Sequence, residues 1–384
     1  MTVMDRIRIM FLTGSLCYGG LERVVVNLCR SIDRTVFSPV VVCTDRKGEF
    51  GPEVEELGIP VYELHGGRSR RNGYLGWYRV RRIAKENQTH IIHSHNTGPF
   101  LDAFLASLFR PTICIHTEHG RSFPGKLRHN IAERLASARA EKVVCVSEEL
   151  RQNLCSYLGV RKGKTAVINN GIDHFKFNPR IDAAAKKEAS GLQGFKHVLG
   201  MVSMLRQEKG VEHVIRAAPL ILQAHPETGF LVVGDGPIRG ELERLAQDLG
   251  IRESFVFSGS RDDVHELLQI MDVYILPSLR EGLPMALLEA MAARRCILSS
   301  AVGEVPQIIG NGSEGVLIPP GEPIIIARSA IDLLRRPELR RQLGERAFQH
   351  FLGKYSAETM YAEYEKIYIH AFAKRYATGK TVTN

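Results

Sequence analysis

The chain has 384 residues, of which 44% are hydrophobic and 24% are charged, a composition typical of a globular protein with two domains. Its seven cysteines are scattered and none forms a C-x2-C pair, so neither a disulfide framework nor a cysteine zinc site is expected, and a cytoplasmic location is favoured. The apolar run at 9–12 is too short for a signal peptide, and no run approaches 18 apolar residues, so we expect no membrane-spanning helix.

The net charge of +9 is concentrated in the first half, where residues 1–175 hold 25 basic and 17 acidic side chains. The stretch from Arg68 to Lys85 contains seven basic residues, no acidic residue, and the aromatic residues Tyr74, Trp77 and Tyr78. This pattern fits either a solvated helix face or peripheral contact with anionic lipid at the inner face of the plasma membrane. We expect no nucleic-acid partner, because no nucleic-acid-binding module is recognisable.

Short β-branched runs alternate with longer amphipathic segments along the whole chain. In the first half they predict strands at 7–12, 39–43, 60–62, 91–93, 112–116, 143–146 and 166–168. This alternation is typical of βαβ units, in which a parallel sheet is covered by helices on both faces.

The second half repeats the pattern after a polar stretch at 177–196, which we interpret as the connection between two domains. Its predicted strands are at 198–201, 230–233, 255–257, 273–276, 297–299 and 316–318. The fold class is therefore α/β, with two doubly wound Rossmann-like domains. Ligands of such sheets bind at the carboxyl ends of the strands, so a central cleft faced by both domains is the expected site.

The stretch from Glu281 to Glu289 is the most informative in the chain. Its two carboxylates are eight positions apart, one before a predicted helix and one within it. Pro284 suits the first helical turn, and the amides of Gly282 and Leu283 are then available to an anionic or hydroxyl-rich ligand at the helix N-terminus. Alternatively, the two residues are an acidic loop residue and an exposed helix glutamate.

Further motifs accompany this stretch in a fixed order. They are GGLER at 19–23, NGID at 170–173, RQEKG at 206–210, GDGP at 234–237, SLREGLP at 278–284 and EAMA at 289–292. Together they resemble the retaining family-4 glycosyltransferases, and the resemblance covers nearly the whole chain.

The resemblance implies the GT-B fold. It implies an acceptor-binding domain at residues 1–176 and a donor-binding domain at residues 177–355, each Rossmann-like. It also implies that residues 356–384 hold an aromatic-rich helix that crosses back to the first domain. The alternative is that this helix belongs only to the core of the second domain.

Basic residues follow the first strand of the second domain. Lys209 and Arg206 are expected to clamp a donor diphosphate and to neutralise the leaving group, a role that replaces a metal ion. Relatives usually have an arginine at the position of Met204, so Arg206, two residues on, is the substitute candidate.

Other donor-side roles also come from the resemblance. Gly234 and Gly236 form a tight turn that is expected to line the donor site, and Arg261 is a candidate contact of the base. Glu289 is implied as the acceptor of hydrogen bonds from the ribose, and Glu281 faces the hydroxyls of the transferred sugar, because a carboxylate accepts two hydrogen bonds from a vicinal diol. Alternatively, the glycine turn needs no ligand.

Glycines and polar residues follow several strands of the first domain. Gly19 and Gly20 lie after the first strand without the Lys-Ser/Thr of a P-loop, and the resemblance places them beside the donor phosphates and the acceptor. His119 matches the histidine that approaches the transferred sugar, and we expect it to position or polarise the substrate. Further residues are expected to border the acceptor: His95, Asn96 and Asn170.

The implied reaction is transfer of a hexosyl unit from a nucleoside diphosphate sugar, with UDP favoured, to a polysaccharide, lipid-linked or other hydroxyl acceptor. The anomeric configuration is retained, and neither a metal nor a cofactor is expected. Two other classes stay open: another GT-B enzyme, such as a phosphorylase or an epimerase, and a sugar-nucleotide-binding protein with weak or no catalysis.

Overall fold

A computed structural model describes residues 6–17, 19–64, 76–120, 127–177 and 181–377. The chain divides into two compact units, one formed by residues 1–171 together with 357–384 and the other by residues 172–356. Each unit is a parallel sheet with helices on both faces, as predicted for a doubly wound domain.

The strands of the first unit are β1 (Ile7–Ser15), β2 (Phe37–Arg46), β3 (Val61–Glu63), β4 (Ile91–His95), β5 (Ile113–Glu118), β6 (Lys142–Cys145) and β7 (Thr165–Val167). They lie in the order β3-β2-β1-β4-β5-β6-β7. The helices are α1 (Gly20–Ser31), α2 (Gly51–Glu56), α3 (Gly76–Glu86), α4 (Thr97–Ser107), α5 (Leu127–Arg139), α6 (Glu148–Leu158) and, from the end of the chain, α15 (Ala357–Phe372).

Successive residues of β1 divide between the two cores of this unit. Ile9 and Phe11 pack with α1 and α15, whereas Met10 and Leu12 pack with α3 and α4. Because side chains alternate along a strand, a strand buried on both faces must be apolar at every position. This explains why the short continuous apolar runs predicted strands.

The strands of the second unit are β8 (His197–Val202), β9 (Thr228–Val233), β10 (Phe255–Gly259), β11 (Val273–Leu276), β12 (Cys296–Ser300) and β13 (Val316–Ile318), in the order β10-β9-β8-β11-β12-β13. The helices are α7 (Ala183–Ala189), α8 (Val211–Ala224), α9 (Arg239–Asp248), α10 (Val264–Gln269), α11 (Met285–Ala292), α12 (Val305–Ile308), α13 (Pro323–Arg335) and α14 (Pro337–Lys354).

This sheet also separates two cores. One contains Leu199, Val273 and the buried faces of α8 and α13, and the other contains Tyr274 together with α11 and α14. The polar stretch at 177–196 is part of this unit, because it contains α7, whose Lys186 forms ion pairs with Asp263 and Glu266.

The order of strands reverses direction at one point in each sheet, between β1 and β4 in the first unit and between β8 and β11 in the second. The loops that leave these paired strands diverge to opposite faces and leave a crevice at the carboxyl ends. All thirteen predicted strands are present, and the predicted fold class is confirmed. Within the described ranges, no helix combines the length and apolar character needed to cross a membrane.

Candidate active site

A lysine and a glutamate meet at the strand-order reversal of the second unit. Lys209 ends a short 3-10 turn after β8, and Glu281 lies on the loop after β11. The Lys209 Nζ lies 2.8 and 2.9 Å from the two carboxylate oxygens of Glu281, and the Ser278 hydroxyl donates to Oε1 of the same carboxylate at 2.7 Å. The topology therefore brings together two motifs that are 72 residues apart in the chain.

This ion pair is mostly shielded from solvent. The Glu281 side chain is 7% exposed and that of Lys209 is 25% exposed. Two donors hold the carboxylate in one orientation, while the ammonium group retains protons for a further acceptor. The arrangement presents a fixed cation at the carboxyl edge of the sheet, where a phosphate group can be bound.

Two glycines allow the backbone to close tightly around this pair. A Cβ on Gly303, which has φ +53, would lie 1.9 Å from the carbonyl oxygen of Glu281, and a Cβ on Gly210, with φ +65, would lie 2.2 Å from that of Pro277. At Gly282, in contrast, a Cβ would meet nothing within 4 Å. The loops are therefore held against each other, while open space remains beside Gly282.

The second glutamate of the motif lies on α11. This helix begins at Met285, one residue later than predicted, with Pro284 as its N-cap and Leu283 packed against the neighbouring core. Glu289 keeps some accessible surface, but its carboxyl is closely surrounded by protein, and this burial raises its pKa to about 7. The carboxyl is thus kept away from water at the edge where a ligand would bind.

Two buried hydroxyls of this sheet have no hydrogen-bond partner among the described residues. They are those of Tyr274 on β11 and Ser300 at the end of β12. Burial, followed by the charges of Glu289 and Glu281, raises the pKa of Tyr274 well above 10, so its phenol stays protonated. Buried polar groups in folded proteins are nearly always paired, so these two hydroxyls indicate a place where a ligand can bind.

The remaining predicted donor residues lie on neighbouring loops. Gly234, with φ +126, would place a Cβ 1.9 Å from the carbonyl of Ser203, and Gly236 would place one 2.3 Å from that of Leu205. These glycines therefore allow two loops of the protein to pack, which accounts for them without a ligand.

Two predicted basic residues are turned to other acidic partners. Arg206 is 54% exposed on its side chain and lies 3.8 Å from Glu208. Arg261 donates to both carboxylate oxygens of Asp263, at 2.7 and 2.6 Å. Neither joins the Lys209–Glu281 pair, and the predicted donor roles of Arg206 and Arg261 stay predictions.

Polar residues cluster at the carboxyl ends of β4 and β5 in the first unit. His93 accepts or donates at both ring nitrogens, to the hydroxyls of Thr117 at 2.7 Å and Tyr368 at 2.7 Å, and Thr117 is also 3.0 Å from the hydroxyl of Tyr364. Both tyrosines belong to α15. The helix α15 is therefore linked to the carboxyl ends of β4 and β5 by a fully buried network of hydrogen bonds.

His95 and His119 lie next to this network and form a pair, with Nδ1 of His95 3.0 Å from Nε2 of His119. Burial lowers the pKa of His119 to about 4 and that of His95 well below its ordinary value, so both rings are neutral at pH 7. Of the two nitrogens that face each other, one then carries a proton and donates it in a hydrogen bond to the other. The outer nitrogens consequently have opposite roles, one as a donor and the other as an acceptor.

Four side-chain atoms at this edge are buried without a partner in the part of the chain that the structure describes. They are the outer ring nitrogens of both histidines and the amide oxygens of two asparagines: His95 Nε2, His119 Nδ1, Asn96 Oδ1 and Asn170 Oδ1. Asn96 also has φ +66, which holds it in a strained turn at the end of β4. All four atoms belong to residues that the sequence predicted for this site.

The glycine-rich loop of the first unit leads into α1. Gly19 is the N-cap of this helix, and a Cβ on it would meet the carboxylate of Glu22 at 2.2 Å, whereas Gly20 has nothing within 4 Å of the Cβ position. Gly20 therefore leaves space for a ligand at a helix N-terminus. Ser147, two residues after β6, caps α6 by accepting a hydrogen bond from the Leu150 amide.

The predicted basic surface falls only partly within the described residues. Arg68, Arg70, Arg71 and Tyr74 lie outside them. Arg79 donates to the carbonyl of Leu64, and Arg81 donates to carbonyls at the C-terminal end of α4. These two arginines serve the fold, which leaves Arg82 and Lys85 as the exposed basic side chains of α3.

Comparisons with known proteins agree with this architecture. The family model described as "Glycosyltransferase Family 4" matches residues 18–175, and the model "Glycosyl transferases group 1" matches residues 182–350. An uncharacterized glycosyltransferase of Methanocaldococcus jannaschii is 31% identical over 292 residues, which are 72% of this chain and 74% of that protein. The fold is that of a GT-B glycosyltransferase, and the matched family is one of glycosyltransferases that use a nucleotide-sugar donor.

The chain belongs to the retaining family-4 (group 1) glycosyltransferases, as the motifs predicted. It is also similar to the UDP-Gal:α-D-GlcNAc-diphosphoundecaprenol α-1,3-galactosyltransferase of Escherichia coli, with 30% identity over 62% of this chain and 64% of that enzyme. The crystal structure of Anabaena HepE in complex with UDP has a TM-score of 0.79 at 20% identity and covers 94% of this chain and 100% of that one. For a glycosyltransferase from Rickettsia africae the TM-score is 0.81 at 18% identity, with 96% and 99% covered.

Several residues of the site were missed by sequence reasoning. Tyr274 reads as an ordinary aromatic of a buried strand, and Ser278 as part of a motif without a role of its own. Tyr364 and Tyr368 were noticed only as part of an aromatic helix. A polar aromatic on the strand next to the reversal point was the available signal for Tyr274, because that position borders the crevice.

Proposed function

We propose that this protein transfers a hexosyl unit from a UDP-sugar, with retention of the anomeric configuration, to a hydroxyl group of a lipid-linked or polysaccharide acceptor. The observation that carries the proposal is the fixed Lys209–Glu281 pair beside the buried Glu289 carboxyl at the strand-order reversal of the second unit. This arrangement offers a cation for a diphosphate and two carboxyl groups for sugar hydroxyls.

Each group then has one part of the donor to bind. Glu289 accepts hydrogen bonds from the ribose hydroxyls, and Lys209 binds the diphosphate. Glu281, with the amides of Gly282 and Leu283 nearby, binds hydroxyls of the hexose. A ribose that donates to Glu289 favours its ionised form, so donor binding lowers the pKa of this carboxyl from about 7.

The chemical step needs no nucleophile from the protein in this scheme. The bond between the anomeric carbon and the diphosphate oxygen breaks, and the acceptor oxygen forms its bond on the same face of the sugar. The acceptor proton passes to the departing phosphate oxygen. Lys209 stabilises the charge that develops there, a role that a divalent metal has in other transferases.

The neutral His95–His119 pair suits the positioning of a sugar hydroxyl. A protonated imidazole is excluded near neutral pH by the lowered pKa of both rings. His119 therefore acts through a neutral N–H or a lone pair, either of which can orient a hydroxyl group without donating a net charge.

A membrane-bound acceptor is favoured by the surface of the first unit. Exposed apolar side chains follow one another on α3, on α4 and just after it: Tyr78, Leu105 and Phe109, which are 57%, 37% and 96% exposed. Arg82 and Lys85 are the exposed basic side chains of α3, with Glu86 3.7 Å from Arg82 offsetting part of their charge. The similar E. coli enzyme is named for a diphosphoundecaprenol-linked acceptor, and it uses UDP-galactose.

Transfer from labelled donors tests this proposal. The purified chain is incubated in chelator with UDP-glucose, UDP-galactose, UDP-N-acetylglucosamine or GDP-mannose, together with a polyprenyl-diphosphate-linked sugar in detergent or with soluble oligosaccharides. We expect transfer from a UDP-sugar to the lipid-linked acceptor, with the anomeric configuration of the product retained by NMR. Transfer only from GDP-mannose, or inversion at the anomeric carbon, would refute the proposal.

A further inference from the structure

Three metal-ligating side chains lie together in the second unit, away from the donor residues. His197, His225 and Glu227 each offer one ligand atom, and the three atoms are all within 4.8 Å of one another. In the residues that the structure describes, this is the one group of three or more histidine, cysteine or acidic side chains with such a spacing.

The backbone holds these residues together at the amino ends of two strands. His197 begins β8 and is the register partner of Thr228, the first residue of β9. His225 follows α8, with its N–H donating to the carbonyl of Ile221 at 2.8 Å. The carbonyl of Glu227 accepts from the His197 amide at 3.2 Å, so strand pairing fixes one ligand beside the other.

The distances between the ligand atoms are longer than those of a metal-bound tetrahedral site, by an amount that side-chain rotation can close. Nε2 of His197 lies 4.0 Å from Oε1 of Glu227, and the two imidazole rings are perpendicular with their centroids 5.7 Å apart. On a zinc ion with bonds of about 2.0–2.1 Å, ligand atoms are about 3.3 Å from each other. The Glu227 side chain is 39% exposed, and its rotation can bring the carboxylate closer to the other ligand atoms.

Two buried atoms at this end of the sheet have no partner among the described residues, namely Nε2 of His225 and Oγ1 of Thr228. Buried polar atoms are normally satisfied, so both atoms are available to a bound ion or its water ligands. Lys196 is the competing cation, with its Nζ 3.8 Å from Glu227, but its side chain is 70% exposed. An exposed ion pair of this kind contributes little and can be displaced.

We propose that His197, His225 and Glu227 form a binding site for a zinc-type divalent ion, with water completing the coordination. Two imidazoles and one carboxylate favour zinc over magnesium or calcium, which prefer oxygen ligands alone. The site lies at the opposite end of β8 from the donor residues, and this strand of 6 residues spans about 17 Å at about 3.3 Å per residue. The ion would tie the end of α8 to the starts of β8 and β9, and its role is to stabilise the unit rather than to take part in transfer.

Metal titration of the full chain tests this site. The protein is stripped with a chelator and titrated with Co²⁺ and then Zn²⁺, while visible absorption, stoichiometry and melting temperature are recorded. We expect one Co²⁺ per chain with tetrahedral absorption bands, displacement by one Zn²⁺, and a higher melting temperature with the ion bound. Failure to bind Co²⁺ or Zn²⁺ at one per chain would overturn the assignment.

Two ligand variants and a matched control make the test specific. His225→Gln and Glu227→Gln are expected to weaken zinc binding roughly tenfold or more while circular dichroism shows a folded protein. Glu227 is exposed enough for its variant to fold even if that of His225 does not. The control is His350→Gln, because His350 lies 3.2 Å from Glu314 in a similar pair for which the described residues offer no third ligand. Unchanged binding in Glu227→Gln, or equal loss in His350→Gln, would refute the site.

Discussion

Replacing Glu289 by glutamine should stabilise the second unit at alkaline pH while it weakens donor binding. Burial raises the pKa of this carboxyl from its ordinary value of 4.5 to about 7, so the folded protein disfavours its ionised form. Glutamine has nearly the same shape and never ionises. It therefore removes the cost of the buried charge and also the charged acceptor that the ribose would use.

The magnitude follows from linkage between protonation and folding. The pKa difference corresponds to about 3 kcal/mol, because each pKa unit is worth about 1.4 kcal/mol. Because the pKa is raised in the folded state, the original protein loses stability relative to the variant as the pH rises from 4.5 through 7. Below pH 4.5 the carboxyl is protonated in both the folded and the unfolded state, and this loss is absent. Above pH 8 the Glu289→Gln variant should be more stable than the original protein by up to about 3 kcal/mol.

Denaturation at two pH values measures this difference. The only tryptophan, Trp77, lies in the first unit, so unfolding of the second unit is followed by circular dichroism and calorimetry. We expect the variant and the original protein to unfold with similar free energies at pH 5 and to differ at pH 8.5. Glu188→Gln, an exposed substitution on α7, is the matched control and should show no such pH dependence.

Binding completes the experiment, because the same substitution should weaken UDP binding roughly tenfold or more through loss of a charge-assisted hydrogen bond. Equal unfolding free energies of Glu289→Gln and the original protein at pH 8.5 would refute the reasoning about the buried charge. Undiminished UDP binding would refute the proposed ribose contact.

Three further substitutions test other parts of the site. Lys209→Met should leave the Glu281 carboxylate without its cation and reduce transfer by roughly 10²–10³-fold, measured as initial rates at saturating donor. Gly234→Ala requires a side chain at φ +126 that overlaps a carbonyl, so we expect a loss of more than about 2 kcal/mol in denaturant titrations, and an unchanged midpoint would contradict this. Tyr368→Phe leaves Nδ1 of His93 buried without its partner, which should lower the melting temperature by an amount equivalent to about 1–3 kcal/mol.

The sheets were predictable from the sequence because both of their faces are buried. A strand such as β9 or β12 must be apolar or small at nearly every position, and this produces short continuous runs that are easily recognised. The carboxyl ends were predictable for the same reason, since polar residues follow each run. Lys209, Glu281 and His119 all lie beyond such runs, and the roles that the family resemblance implies for them stay predictions.

Hydrogen bonds and ion pairs between residues that are far apart in the sequence were not predictable. No periodicity indicates that Tyr364 and Tyr368 of α15 reach His93 and Thr117, because these bonds depend on tertiary packing between segments almost 250 residues or more apart. The same limit applies to charge pairs. The pairing of Arg261 with Asp263 was not predicted, because sequence reasoning does not identify which acidic side chain an arginine meets, and its contact with a nucleotide base stays a prediction.

The glycines also show where motif reasoning reaches its limit. Gly234 and Gly236 match a nucleotide-binding turn, but the close approach that requires them is to carbonyls of the protein itself. The histidine and glutamate group at the amino ends of β8 and β9 had no recognisable spacing. It arises because strand pairing brings His197 beside residues that lie some thirty positions later.

Donor binding in the presence of a chelator tests the central claim most directly. The melting temperature of the full chain is measured with EDTA and saturating UDP, GDP or ADP, and again for Glu289→Gln. We predict that UDP raises the melting temperature of the original protein without any metal, and that the increase is much smaller in the variant. No increase with any of the three nucleotides, or an equal increase in the variant, would contradict the assignment of the donor site.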